Sequence, residues 1–209
     1  MKTHEYRNYT EYLKTQIRTS LGKKGYIKTE KHILELSHIV GHFAARYYIE
    51  DRKIKILCVG ARNNSEAIAL RMTFPLAELD ITLIDIIGTK NKLVTKARSL
   101  LGKDTVIYGD MNALQFQDGT FDMVFSSHSF EHTNRPVVAA QEITRVTKAG
   151  GLIYICVPSD FADPHEHDDC TLYENINEIP VLFGLNALMM YEQKVDSYWM
   201  PEYRILLGR

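Results

Sequence analysis

The spacing of apolar side chains changes near residue 50 of the chain. Over residues 1–50, apolar side chains recur at helical spacing in two runs, which the segment LGKKG separates. Beyond residue 50, short apolar runs rich in β-branched residues alternate with helical patterns. We therefore predict an N-terminal segment of two amphipathic helices over residues 1–50 and one main domain over residues 51–209.

The main domain is predicted to be an α/β domain. Its first five predicted strands are KIKILCVG, LDITLIDI, TVIYGD, FDMVFSS and LIYICVP. The helical patterns among them are NNSEAIALRMTF, NKLVTKARSLL and RPVVAAQEITRVTKA. Strands that are apolar on both faces and alternate with helices are typical of a parallel sheet covered by helices on both sides.

The C-terminal part of the chain departs from this alternation. A polar stretch after Pro158 leads to a helical pattern around TLYENINEIPVLFG. The last two strand patterns, NALMMYEQKV and PEYRILLGR, have no helix between them. We predict that they form an antiparallel pair at the end of the sheet.

Composition and charge narrow the classes of function. The 209 residues are 45% hydrophobic and 24% charged, which is typical of a globular protein. The net charge of −1 gives no overall positive field, so a nucleic-acid partner is not expected. No apolar run indicates a membrane span or a signal peptide, and no pattern indicates an oligomeric state.

The cysteines favour a reducing compartment. Cys58 and Cys156 fall in apolar strand patterns, where cysteine packs as a small hydrophobic residue. With Cys170 the number of cysteines is odd, and no two cysteines have CxxC spacing. We expect a cytoplasmic protein without membrane attachment.

The turn after the first strand is a candidate ligand site. In an open α/β sheet, ligands bind at the carboxyl ends of the strands, where the strand order reverses. The turn begins at Gly60, which allows close approach to the backbone, and continues as Ala61, Arg62, Asn63 and Asn64. The amides that open the next helix and the charge of Arg62 suit a carboxylate or a phosphate.

Acidic residues end the second and third predicted strands. Asp85 is suitably spaced from the turn to accept hydrogen bonds from the two hydroxyls of a ribose. Asp110 can accept a hydrogen bond from an adenine amino group while Met111 packs on the ring. An acidic residue at a strand end is more often a turn former, but the order and spacing of the two favour a bound nucleoside.

Four segments, ILCVGARNN, TLIDI, YGDMNALQFQDGTFDMVFSSHSFEHTNRP and EITRVTKAGGLIYICVP, carry a family resemblance. They resemble the class I S-adenosylmethionine-dependent methyltransferases, particularly the small-molecule, ubiquinone-biosynthesis-like type. The resemblance covers roughly residues 53–209. It implies a Rossmann-like seven-stranded sheet with one antiparallel strand, S-adenosylmethionine as the cofactor, and an N-terminal lid over the acceptor pocket.

The resemblance also implies roles for the matching residues. The expected cofactor-binding residues are Gly60, Ala61, Arg62, Asn63, Asp85, Ile86, Asp110, Met111 and Ser126. Gly60 and its neighbours would face the methionine moiety, Asp85 the ribose, and Asp110 with Met111 the adenine. Ser126 and His128 would lie close to the sulfonium and to the acceptor.

The chain departs from the family pattern at the first strand and its turn. Arg62 and Asn64 replace two of the usual three glycines, and Cys58 replaces an acidic residue. Cofactor binding is still expected, because asparagine can adopt the backbone geometry and Arg62 can pair with the cofactor carboxylate. The alternative is a catalytically degenerate relative that keeps the fold as a binding or interaction protein.

The expected chemistry is methyl transfer to a small-molecule acceptor by in-line displacement. A hydroxyl or a protonated amine needs a base, and histidine is the natural base near neutral pH. The candidate catalytic residues are His128, His132 and His167, with Glu131 nearby. Capping of the next helix by Glu131 and His132 is the favoured alternative, and no motif identifies the acceptor as oxygen, nitrogen or carbon.

Two other kinds of site are disfavoured. The segment PHEHDDC offers imidazoles, carboxylates and a thiol, but ligands so close in sequence seldom complete a tetrahedral site, so no metal is predicted. The resemblance instead suggests that this loop lies over the acceptor pocket. A NAD-dependent dehydrogenase is disfavoured because the first turn lacks the dinucleotide glycine pattern.

Overall fold

Seven strands form one mixed sheet in the computed structural model, which describes residues 29–48, 52–61, 64–86, 106–160, 170–194 and 201–209. The strands are β1 (Ile54–Val59), β2 (Leu79–Asp85), β3 (Val106–Tyr108), β4 (Phe121–Ser127), β5 (Thr147–Pro158), β6 (Asn186–Gln193) and β7 (Glu202–Gly208). Their order is β3-β2-β1-β4-β5-β7-β6. Neighbours among β1 to β5 are parallel, and β7 is antiparallel to β5 and β6. The predicted Rossmann-like sheet and its C-terminal antiparallel pair are confirmed.

Helices cover both faces of this sheet. The described helices are α1 (Thr29–Ser37), α2 (Val40–Tyr47), α3 (Ser65–Thr73), α4 (Pro136–Val146) and α5 (Glu178–Phe183), with a 3-10 helix at Phe130–His132. None of these is long and apolar enough to cross a membrane.

The central strand β1 is apolar from Ile56 to Val59, where both of its faces are covered. Ile56 and Cys58 lie in the core beneath α1, α2 and α3. Leu57 and Val59 lie in the core beneath α4 and α5. A strand buried on both faces has no solvent side, so it lacks the alternation of apolar and polar residues that marks a half-exposed strand.

Three predicted helices have different bounds in the structure. The helix predicted through residue 149 ends at Val146, because Thr147 is extended and pairs with Phe121 of β4. The helix around TLYENINEIPVLFG is confined to α5, since the side chain of Asn175 accepts the backbone N–H of Asn177 in a local turn that competes with a helix. The second N-terminal run is divided into α1 and α2.

Of the other three predicted helices, NNSEAIALRMTF is found as α3, and two cannot be compared with the structure. The helix NKLVTKARSLL and the first N-terminal helix lie outside the described residues. The described part of the N-terminal segment contributes Leu36, Ile39 and Phe43 to the core on one face of the sheet. Its predicted role as a lid stays a prediction.

Candidate functional site

The carboxyl edge of the sheet brings together most of the described residues that the sequence analysis singled out. Strands β1, β2, β3 and β4 end at this edge. The strand order reverses between β1 and β4, so the crevice typical of this fold lies beside these two strand ends. Because β7 is antiparallel, its first residue, Glu202, also lies at this edge, opposite Pro158.

The turn after β1 is in close contact with the loop after β4. Gly60 has a φ of 74°, and a Cβ added to it would lie 2.1 Å from the Cβ of Ser129. Ser129 Oγ donates to Val59 O at 2.8 Å and lies 2.7 Å from the Oγ of the fully buried Ser126. Glycine is therefore required at position 60 by the backbone conformation and by Ser129.

A buried donor follows this turn, at the start of α3. The side chain of Asn64 is 5% exposed, and its Nδ2 has no hydrogen-bond partner among the described residues. Such a group is satisfied when a ligand oxygen binds to it. The donor therefore fits the carboxylate of an amino-acid moiety, the group predicted to bind at this turn. Arg62 and Asn63 lie outside the described residues, and Ala61 is buried, with its N–H donating to Ile84 O at 2.9 Å.

Asp85 and Asp110 follow neighbouring strands, as the nucleoside prediction requires. Asp85 ends β2 and is buried, and Ile86 after it is half-buried. Asp110 Oδ1 accepts hydrogen bonds from N and Nδ2 of Asn112 at 2.9 and 3.0 Å, so this carboxylate also shapes the turn after β3. Met111 in that turn is half-buried. The cofactor-binding roles of these residues stay predictions.

His128, directly after β4, is held in one orientation. Its φ is 49°, in the left-handed region that a non-glycine residue seldom adopts. Its Nε2 lies 2.6 Å from Glu202 Oε2. The Nε and Nη2 atoms of Arg204 bind the other carboxylate oxygen of Glu202 at 2.7 and 2.6 Å. Arg204 thus fixes Glu202, which in turn fixes the imidazole.

A buried set of charges, here called the α1 cluster, joins Glu202 to helix α1. Lys31 Nζ contacts Glu35 and lies 3.0 Å from Glu202 Oε2. Ser127 Oγ donates to Glu35 at 2.9 Å. His32 Nδ1 lies 3.1 Å from Glu35, and its Nε2 lies 3.4 Å from Glu66. The members of the α1 cluster are the cations Lys31, His32 and Arg204 and the carboxylates Glu35, Glu66 and Glu202.

The α1 cluster is balanced in charge. Burial lowers the pKa of His32, but Glu66 and Glu35 outweigh burial and raise it to about 9. Burial raises the pKa of Glu202, but the hydrogen bond from His128 and the charge of Lys31 lower it to about 2. Near pH 7 three positive groups therefore face three negative groups.

Four residues here have donor atoms close enough to bind a metal ion. The donor atoms of Glu35, His128, Cys156 and Glu202 all lie within 4.8 Å of one another. The ammonium group of Lys31 is bound to Glu35 and Glu202 and lies 4.0 Å from Cys156 Sγ. Because Lys31 already supplies the positive charge that these carboxylates need, we propose no metal site here.

His128 is neutral near pH 7. Burial lowers its pKa, Lys31 lowers it further, and the opposing effects of Glu202 and Glu131 are smaller. Glu202 is ionised, so the Nε2–H of His128 donates to it. The lone pair of the imidazole is therefore on Nδ1, which lies 3.7 Å from Glu131 Oε1.

Of the other two predicted catalytic histidines, only His132 lies within the described residues. His132 Nδ1 lies 3.3 Å from Cys170 Sγ, and His167 lies outside the described residues. The N-cap residue of α4, Arg135, makes no side-chain cap, and its N–H donates to Thr133 Oγ1 at 3.1 Å. Glu131 and His132 lie in the 3-10 helix before α4, and the helix-capping alternative for them stays a prediction.

Sequence reasoning missed the residues that hold His128. Glu202 and Arg204 alternate along a strand, and Lys31 and Glu35 are four residues apart on a helix. Both spacings are typical of exposed ion pairs. The one available signal was the charged pair at the start of the otherwise apolar run in PEYRILLGR.

Comparison with known proteins identifies the family. Residues 57–155 match the family model described as "Methyltransferase domain". These residues belong to the methyltransferase domain family. The predicted class I S-adenosylmethionine-dependent family, and with it the predicted cofactor, is confirmed.

The individual relatives match only about half of this chain. The chain is 31% identical over 114 residues to the glycine/sarcosine/dimethylglycine N-methyltransferase of Actinopolyspora halophila, covering 54% of this chain and 20% of that protein. It is 37% identical over 99 residues to the 2-methyl-6-phytyl-1,4-hydroquinone methyltransferase of Synechocystis, covering 47% of this chain and 26% of that protein. The chain thus spans about a quarter of the length of these curated relatives.

A solved structure shows the same fold over nearly the whole chain. The SAM-dependent methyltransferase of Aquifex aeolicus is 16% identical, with a TM-score of 0.59. The match covers 88% of this chain and 99% of that chain. At this identity the likeness is one of fold.

Proposed function

We propose that this chain transfers a methyl group from S-adenosylmethionine to a small-molecule acceptor. The observation that carries the proposal is that Asp85, Asp110 and His128 lie at the carboxyl ends of β2, β3 and β4, at the sheet edge where the strand order reverses. When bound, the cofactor supplies an electrophilic methyl group on a positively charged sulfur. The protein needs only to orient the acceptor and accept a proton.

The proposed cofactor site follows the order of the strands. Asn64 and the turn from Gly60 to Asn63 would bind the methionine moiety, Asp85 and Ile86 the ribose, and Asp110 and Met111 the adenine. Ser126 is fully buried and bonded to Ser129, so we propose that it holds the loop against Gly60.

His128 is the proposed catalytic base. A neutral imidazole whose Nε2–H is bound to Glu202 can accept a proton only at Nδ1. The α1 cluster supports this orientation through Glu202, which binds both Lys31 and His128. We further propose that the N-terminal helices border the acceptor pocket, since Lys31 and Glu35 of α1 contact residues at the same strand ends.

The acceptor class is supported by the relatives. Their names describe methylation of glycine, sarcosine and dimethylglycine and of a phytyl hydroquinone, all of which are small molecules. We propose a small-molecule acceptor here too, without a nucleic-acid partner. A cytoplasmic location is proposed from the cysteine usage.

Isothermal titration of the purified chain with S-adenosylmethionine and S-adenosylhomocysteine tests the proposal. We expect both to bind, and we expect Asp85→Asn to weaken binding at least about 10-fold because a charged hydrogen-bond acceptor is lost. Asp118→Asn, at a side chain that is 78% exposed, is the matched control. Absence of binding to either compound would contradict the proposal and favour the degenerate alternative.

A further inference from the structure

Glu131 is a buried carboxylate whose hydrogen bonds are incomplete. The residue is 2% exposed, and its Oε2 has no hydrogen-bond partner among the described residues. Its Oε1 lies 3.7 Å from His128 Nδ1, beyond hydrogen-bond distance. A buried carboxylate oxygen without a donor is costly, so a group of this kind calls for a binding partner.

The neighbouring imidazole cannot supply the missing donor. Its Nε2–H is used by Glu202 at 2.6 Å, and Glu202 is fixed by Arg204 and Lys31. Nδ1 of His128 is thus a hydrogen-bond acceptor that faces another acceptor, Oε1 of Glu131. The gap of 3.7 Å between these two atoms lacks a hydrogen, and a group that donates to both would complete them.

Hydrogen bonds of the main chain hold the backbone of Glu131 and His128 in place. Glu131 lies in the 3-10 helix, and its carbonyl oxygen accepts the N–H of Thr171 at 2.6 Å. The N–H of His128 is bound to Cys156 O. These bonds fix the positions from which the two side chains extend.

We infer that His128 Nδ1 and the Glu131 carboxylate form the acceptor subsite of the proposed methyltransferase and that it binds an amine, entering as an ammonium group. The number of hydrogens decides between the classes of acceptor. A hydroxyl has one hydrogen and can satisfy only one of the two acceptors, whereas a primary or secondary ammonium has at least two N–H groups. The negative charge of Glu131 also favours a cation.

This inference rests on the proposed function and specifies its chemistry. His128 Nδ1 accepts one proton from the ammonium, which leaves a neutral amine hydrogen-bonded to Glu131. The lone pair of the amine nitrogen forms the new C–N bond to the methyl carbon as the C–S bond breaks, with its electron pair moving to sulfur. The products are a methylated ammonium and a neutral thioether, and the imidazolium returns its proton to solvent.

The substitution Glu131→Gln tests the subsite, because the amide N–H of glutamine replaces the donor that an amine would bring. In the full chain without acceptor, we expect Glu131→Gln to raise the Tm by about 2–4 °C, the shift typical of one gained interaction in a chain of this size. A residue with a structural role would give the opposite sign. Glu192→Gln, at an exposed position on β6, is the matched control and should leave the Tm unchanged.

Methyl transfer is measured on the wild type with radiolabelled S-adenosylmethionine and paired probes that differ only in the accepting atom. The pairs are propylamine with propan-1-ol, benzylamine with benzyl alcohol, and glycine with glycolic acid. We expect label on at least one amine and on no alcohol, and an at least 10-fold lower amine rate in Glu131→Gln at unchanged affinity for S-adenosylhomocysteine.

The outcomes separate this inference from the proposed function. If S-adenosylhomocysteine binds but Glu131→Gln lowers the Tm, or an alcohol is labelled in preference to its paired amine, or no amine is labelled, the amine subsite is wrong. If S-adenosylhomocysteine does not bind, the proposed function itself fails. Should Glu131→Gln not fold, the paired probes on the wild type still decide.

Discussion

The α1 cluster and the pair formed by His128 and Glu131 are neighbours, and they differ in how completely their polar groups are satisfied. In the α1 cluster, Lys31 is bound to Glu35 and Glu202, and the positive and negative charges are equal in number. In the pair, two hydrogen-bond acceptors face each other across 3.7 Å, and one carboxylate oxygen has no partner among the described residues.

This difference distinguishes residues that hold the site in shape from residues that can bind a ligand. A complete buried network gains nothing from a ligand, whereas an incomplete one is satisfied by a ligand. Glu202 belongs to the complete network, and its hydrogen bond with His128 links that network to the incomplete pair. On this difference we base the proposal that an acceptor binds at the pair and that the α1 cluster holds the site in shape.

The largest expected effect comes from removing one charge of the α1 cluster. Lys31→Met would leave Glu35 and Glu202 without their common cation, and loss of one partner of a buried pair costs about 3–5 kcal/mol. Chemical denaturation should show this loss in the free energy of unfolding. Lys53→Met, at an exposed pair with Glu78, is the control and should show no measurable change. Equal effects at both positions would mean that the cluster is not buried as described.

The pH dependence of stability tests the same cluster without substituting a charge. The pKa of His32 is raised from 6.5 to about 9, so its stabilising contribution is complete below pH 6.5 and is lost as the pH rises through about 9. The free energy of unfolding should fall by about 3 kcal/mol over this window. His32→Gln should flatten the pH profile, and His42→Gln, at an exposed position, should leave it unchanged.

Replacing Glu202 joins the two regions in one experiment. Glu202→Gln keeps the side-chain length but removes the charge that orients His128, and we expect methyl transfer to fall by about 100-fold. Because Glu202 raises the pKa of His128, its loss should also move the acid limb of the pH–rate profile to lower pH. A fall in rate with an unmoved acid limb would argue against His128 as the base.

The smallest effect is expected where the first turn meets the loop that carries His128. In Gly60→Ala the new Cβ meets Ser129 at 2.1 Å, in addition to the strain of a φ of 74°. Gly150 has a similar φ of 78° but open space around its Cβ position. Gly60→Ala should therefore destabilise the fold by about 1–3 kcal/mol more than Gly150→Ala. Equal Tm values for the two variants would contradict this contact.

The strands of the sheet could be predicted from the sequence because their apolar runs are short, β-branched and bounded by turn signals. The ends of α4 and α5 could not be predicted. Whether Thr147 and Asn175 are helical, extended or in a turn depends on the residues to which they are hydrogen-bonded or paired. His128 was predicted from its place after the fourth strand, but its orientation depends on a carboxylate 74 residues away.

The sequence by itself determined the α/β sheet, its C-terminal hairpin, the methyltransferase family and the positions of Asp85, Asp110 and His128, because each depends on local periodicity or on the end of a strand. Only the tertiary structure decided which charges are buried. Lys31 and Glu35 have the spacing of an exposed helical pair until α1 packs over the strand ends, and Glu202 joins them because β7 runs antiparallel. Burial depends on what covers a residue, and that information is spread over the whole chain.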